Sequence, residues 1–382
     1  MGNLARNARL LGLALAVALC VAVPAGVASD QAFSGDAQLI EHWNGSIWKV
    51  TRIKGAPTDA DLAAVTATSA HDVWAVGSYV WFETDGRPYA EHFDGRSWKT
   101  FLLRGPNPNA AYSDAWFGAV SASSPKDVWA VGRGHQRAMI EHYGGLRWRL
   151  VGGVKTDGSE LLGVAAISPR DAWVVGWEPA REWDSKPLIE HWNGLRWRQV
   201  RSPFPVGNDD LRAISAISAN DIWAVGDREI PAYHPELPRD RPLVLHWDGL
   251  RWRLVTCPLP ARTGGTLSGV VAINANDVWA VGQFERKRHS PPLIEHWDGH
   301  SWRMVRVPRP WVSGELTAVS AASPTDVWAV GSRQGAKTLA EHWDGRSWTL
   351  LRTVPRASNS LFGIAAVSAT DFWAVGGSGF PY

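Results

Sequence analysis

Apolar and polar positions alternate through most of this chain in short runs, and two of these runs return seven times. The first is Asp-x-Trp-(Ala/Val)-Val-Gly, at Asp72, Asp127, Asp171, Asp221, Asp277, Asp326 and Asp371. The second is His-aromatic-x-Gly-x-x-Trp, at His42, His92, His142, His191, His246, His296 and His342. Copies stand roughly 44–56 residues apart, the spacing of an array in which each repeat is one supersecondary unit.

Runs of four to six residues rich in Val, Ile and Trp, separated by Gly, Asn, Asp and Ser, read as strands. Residues 39–43 form one, Asn44-Gly45 signals a two-residue hairpin, and Trp48 starts the return. The first complete unit has strands at 62–67, 73–76, 89–93 and 98–101, turned by Ser69-Ala70-His71-Asp72 and Asp94-Gly95. The same four strands recur from Phe117, Leu162, Leu211, Leu267 and Leu316, whereas the last unit, from Leu361, holds only two. The missing two are those at the N-terminal end. The pattern therefore predicts an all-β, seven-bladed β-propeller with four antiparallel strands per blade. Its closing blade combines two N-terminal and two C-terminal strands, and closure removes the sheet edges that invite aggregation.

Tryptophan is the compositional anomaly, with 24 residues. Seven fall on second strands, seven on fourth strands and five on third strands, where Phe93 and Tyr143 take the remaining places. Flat, wide side chains suit the wedge between radially stacked sheets.

Residues 1–28 read as a signal peptide. Arg6 and Arg9 precede an apolar run at 10–23, and Pro24, Gly26 and Ala28 follow it. Such a run is shorter than the roughly 20 residues of a membrane helix. Residues 29–37 are a polar lead-in, and 38–382 a single propeller domain. Cleavage takes two of the 39 basic residues and leaves 37 against 37 acidic. A neutral chain offers no electrostatic case for nucleic acid. Cys257 alone would remain, so no internal disulfide forms and closure must supply stability. A secreted, monomeric protein with no membrane span in the mature chain is expected.

The chain resembles the Kelch-type, galactose-oxidase-like propellers. Trp279-Ala280-Val281-Gly282 and Trp297-Asp298-Gly299-His300-Ser301-Trp302 follow the Kelch layout of glycine after the second strand and tryptophan on the fourth. It departs from that layout in its glycine pair, which only Gly376-Gly377 supplies, and in a shorter turn. A copper-radical oxidase of this architecture needs two tyrosines, two histidines and a crosslinked cysteine. Tyr233-His234 and Cys257 are all the chain offers, so no catalytic residue carries over and no cofactor or metal is predicted.

The recurring Glu-His pair is tempting as acid–base or metal-ligating chemistry, but each copy lies a blade away from the next. Leu245 replaces the acid in one blade, which marks the site as packing. Each histidine is expected to hydrogen-bond the aspartate that opens the second strand. Function is expected where the repeat breaks. The turns after first and third strands are short and uniform. The loops after second and fourth strands vary, share one face and carry the tryptophans outside the repeat positions. The candidate ligand-binding residues are Trp81, Phe82, Trp116, Trp177, Trp183, Tyr233, His234 and Trp311. Aromatics among polar neighbours suit a glycan or a surface-protein partner. A binding or scaffold role is the first expectation, and a carbohydrate-active enzyme at the channel mouth the alternative.

Overall fold

The computed structural model describes residues 38–51, 53–80, 86–103, 105, 115–152, 156–180, 184–203, 207–229, 240–260, 263–285, 290–307, 313–334, 337–351 and 360–377. These form seven four-stranded antiparallel sheets, and among the described residues there is no helix. Six sheets take their strands in chain order, as in Ala60–Ser69, Asp72–Val80, Gly86–Phe93 and Trp98–Leu102. The seventh joins the two ends of the chain, in the order Trp48–Thr51, Gln38–Trp43, Asp371–Gly377, Ser360–Ser368. Its register sets Ile40 opposite Val375 and His42 opposite Trp373, so the closing blade is the one the sequence predicts.

The first strand of each unit is innermost. Ala60–Ser69 packs against Ala115–Ser124, and the series continues through Glu160–Ser168, Asp209–Ser218, Gly264–Asn274 and Gly314–Ser323 to Ser360–Ser368, which returns to Ala60–Ser69. The glycine ending each first motif is required here. A Cβ on Gly176 or Gly226 would stand 2.0 Å from the carbonyl oxygen of Glu160 or Asp210 on the inner strand. A bulge next to this contact corrects one detail of the sequence reading. The register jumps from Leu161 to Gly163, so Leu161, not Leu162, is the equivalent of Leu211.

The Asn44-Gly45 turn is also not a two-residue hairpin. Trp43 pairs with Trp48, leaving residues 44–47 to turn the chain. Asn44 Oδ1 accepts the N–H groups of Ser46 and Ile47 at 3.2 and 3.1 Å, and Gly45 takes a φ of +88°. The side chain mimics a backbone turn, which favours Asn or Asp first and Gly second.

Every blade carries the predicted histidine–aspartate bond. Nε2 of the histidine lies 2.7–2.9 Å from Oδ1 of the aspartate, from His92–Asp72 to His42–Asp371 across the closure. Burial alone would raise Asp72 and Asp127. Hydrogen bonds from His92 and Thr68, and from His142 and Ser123, outweigh it and hold both carboxyls below their usual value. The histidine ring lies against the second-strand tryptophan of its own blade, with centroids 4.1–4.5 Å apart. The other side of that tryptophan meets two aromatics of the next blade. Trp74 meets Tyr143 and Trp148, Trp223 meets Trp297 and Trp302, and Trp373 closes the ring on Phe93 and Trp98.

Six of the seven histidines are preceded by a buried glutamate, Glu41, Glu91, Glu141, Glu190, Glu295 and Glu341; Leu245 holds the seventh place, also buried. Desolvation pushes Glu91, Glu141 and Glu341 up to about 7 and Glu295 up to about 8. Glu341 adjoins a small crevice between adjoining blades, lined also by Pro292, Gly314, Arg333 and Leu350.

Glu341 has its ordinary value of 4.5 raised to about 7, so the folded chain binds this proton more tightly than the unfolded one. Its contribution is complete below pH 4.5, is lost as pH climbs to about 7, and is constant above. Glu341→Leu, which copies Leu245, removes that loss. Denaturant unfolding should show the variant gaining about 3 kcal/mol on the wild type between acidic and alkaline pH. A difference that does not change with pH would contradict the assignment. His42→Ala and His142→Ala should each cost roughly 1–3 kcal/mol in the same assay. A much smaller loss for His42 would mean that the closing blade is held by other contacts.

Candidate functional site

Inner strands begin, and second strands end, on the face of the variable loops. The residue before each repeated inner-strand Leu or Phe therefore stands at the loop-face end of the channel. In chain order these are Asp61, Trp116, Glu160, Asp210, Thr266, Glu315 and Ser360. Four of the seven are acids, at a level where the rest of the blade is regular.

Three of these acids, Glu160, Asp210 and Glu315, interact around one guanidinium. Arg212 occupies the bulge of its inner strand, between Leu211 and Ala213 in the register. Its Nε donates to Asp227 Oδ1 at 2.5 Å, and its charge is felt by Asp210 and Asp227 and by Glu315 two blades on. Asp210 accepts from Ser185 Oγ at 2.8 Å, and Glu315 from Ser268 Oγ at 3.0 Å, each from the preceding blade. Glu160 is fully buried and lies within the fields of Arg133, Asp210 and Arg212. Desolvation is the main reason that Glu160 is pushed up to about 7 and Asp210 to about 6, with Asp227 adding repulsion at Asp210. Further out, Asp240 is pushed up to about 7 and Asp209 to about 6, again chiefly by burial. Carboxyls outnumber guanidiniums throughout this set, so part of it keeps its protons near neutrality.

Two of the predicted aromatics reach this mouth. Trp177 lies opposite Glu160 in the register and is partly exposed. Trp116 is buried, 4% exposed, with the Arg133 guanidinium 5.5 Å from its ring centre. It is therefore not a free stacking face; it supports Arg133 beside Glu160. Trp81, Phe82, Trp183, Tyr233, His234 and Trp311 lie outside the described residues, as do residues 1–37. Sequence reasoning missed Glu160, Asp210, Arg212, Asp227 and Glu315. Aligning the seven units at the inner-strand Leu would have exposed Glu160, Asp210 and Glu315, which stand one position before it; no such signal marks Arg212 and Asp227.

Among the described residues no three His, Cys, Asp or Glu side chains converge closely enough to hold a metal ion. Burial, with the charge of Glu295 adding to it, pushes the Cys257 thiol far up and disfavours the thiolate that a nucleophile needs. No helix of the described chain is long and apolar enough to cross a membrane.

No protein-family model matches this chain, and no curated protein matches it by sequence. The Kelch and galactose-oxidase resemblance thus extends no further than the propeller fold. Solved structures do match. "YCF48 bound to D1 peptide" aligns at 15% identity and a TM-score of 0.56, over 87% of this chain and 94% of that one. YCF48 from Cyanidioschyzon merolae aligns at 16% identity and 0.56, over 84% and 94%. A PL25 polysaccharide lyase, an ulvan lyase bound to -[GlcA(1-4)Rha3S]-, aligns at 11% identity and 0.53, over 82% and 90%. At these identities the likeness shows the propeller fold and nothing finer.

Proposed function

We propose that this protein is an exported binding propeller that captures a cation-bearing polypeptide segment at the loop-face mouth of its channel. The carrying observation is the excess of Asp and Glu over Arg around Arg212. Carboxyls crowded by burial and by one another gain most from a lysine or arginine brought among them. Trp177 on the same rim adds an apolar contact for the segment. A propeller of similar fold is known with a bound peptide, and another with an anionic saccharide. An acidic mouth suits the first class of ligand and repels the second. Export rests on the basic, apolar and small-residue succession of residues 1–28.

The second reading is a carbohydrate-active enzyme. It is favoured by Glu160 and Asp210, because a carboxyl that keeps its proton near neutrality is what a general acid requires.

Calorimetric titration of the chain from residue 29 with a lysine-rich peptide tests the first reading. Saturable binding is expected, weakened at least about tenfold by Asp210→Asn with Glu315→Gln, or about 1.4 kcal/mol. Binding should tighten as pH rises through 6 to 7, since Asp210 and Glu160 lose their protons there. Arg212→Gln should leave binding intact or stronger, because it removes an internal cation that competes for the same carboxyls. Binding that ignores both acid substitutions would overturn the assignment. Release of reducing sugar from a neutral polysaccharide, abolished by Glu160→Gln, would establish the enzyme instead.

A further inference from the structure

The opposite face, of short turns, is regular in backbone but not in side chains. Each turn between third and fourth strands presents one residue at its tip, after the glycine. In the blades with fourth strands Trp148–Leu150, Trp197–Gln199 and Trp252–Leu254, which are consecutive around the ring, that residue is leucine. Leu146, Leu195 and Leu250 are 91%, 87% and 85% exposed. At the equivalent places elsewhere stand Ser46, Arg96, His300 and Arg346.

Each of these leucines opens the sequence Leu-Arg-Trp-Arg, with the tryptophan turned into the blade and both arginines exposed. Neighbouring inner turns add two more cations. The Lys126 side chain lies beside Gly145, and that of Arg170 beside Gly194, directly under the first two tips. The acid that balances charge at other turns is missing from two of the three. Where other blades have Asp94, Asp298 and Asp344, the first two have Gly144 and Asn193; the third keeps Asp248, paired with Arg253 as Asp298 is with Arg303. A chain of nearly balanced charge thus carries a basic arc over three blades, studded with apolar tips.

We propose that this arc is a docking surface for an anionic lipid bilayer. The leucines are single exposed side chains, one at each hairpin tip and each followed by an exposed arginine, an arrangement unlike the apolar interface core that a protein partner packs against. Arginines can hold phosphate oxygens at the headgroup level while the adjoining leucines enter the acyl boundary. The charge complementarity specifies an anionic surface. The arc lies on the face opposite the channel mouth, so a docked propeller would present its variable loops away from the membrane.

Co-sedimentation of the chain from residue 29 tests this, since every described strand lies within 38–377 and the apolar run at 10–23 is excluded. The expected result is binding to phosphatidylglycerol–phosphatidylcholine vesicles, weakened by salt, and none to pure phosphatidylcholine. Leu146→Ser, Leu195→Ser and Leu250→Ser combined should reduce it at least about tenfold with an unchanged circular dichroism spectrum. Arg147→Gln with Arg196→Gln should abolish most of the salt dependence. Absence of binding to the anionic vesicles would overturn the proposal. So would undiminished binding by the leucine variant together with competition by soluble polyphosphate, which would make the arc a polyanion site.

Discussion

The structure depends on how one tryptophan is held in each blade. Asp, His and Trp come from the second and third strands of one sheet, and the tryptophan then spans to the next sheet. The histidine's position is fixed by a bond of 2.7–2.9 Å to the aspartate, and its ring fixes one face of the indole. The indole edge and other face meet a third-strand aromatic at 4.7–5.4 Å and a fourth-strand tryptophan at 5.2–5.7 Å in the neighbouring blade. Polar order within a blade thereby sets apolar packing between blades. Because the seventh copy, His42–Asp371 with Trp373, links the two ends of the chain, the same unit that stacks the blades also locks the ring. Among the described residues no disulfide contributes to that: Cys257 is a free thiol.

This scaffold leaves little freedom at its repeated positions, so chemistry moves to places the repeat does not govern. At the loop face it is the residue before the inner-strand leucine, where Glu160, Asp210 and Glu315 gather around Arg212. At the turn face it is the residue after the turn glycine, where Leu146, Leu195 and Leu250 project. Both positions lie one step outside a motif that the backbone requires. The buried glutamates show the contrasting case. Six of them sit at a repeated position, and Leu245 takes the seventh without disturbing the sheet, so that acid belongs to the packing.

Most of the fold was legible in the sequence because its determinants are local and repeated. The Asp–His bond could be expected from co-occurrence alone, and the closing blade from the two strands missing at Leu361. Two misreadings had local causes. Asn44-Gly45 resembles a two-residue turn, but the Asn side chain adds hydrogen bonds that need four residues. Leu161 and Leu162 are equally apolar, and only the bulge decides which one pairs with Gly176. The channel mouth was less legible. Trp116 signalled an exposed aromatic by composition, yet its place on an inner strand buries it. The charge cluster brings residues together from four blades, and such proximity follows from ring closure and not from spacing along the chain. The leucine arc needs the same knowledge, since adjacency around the ring makes three separate tips into one surface.

Native-state hydrogen exchange, followed blade by blade under increasing denaturant, tests the central claim that the closing Asp–His–Trp unit makes seven sheets one cooperative body. The account predicts that amides of Gln38–Trp43 and Asp371–Gly377 exchange only with global unfolding, at the same free energy as those of Asp221–Glu229 in a blade continuous in sequence. Exchange from the closing blade at a distinctly lower free energy, while the other six stay protected, would contradict it.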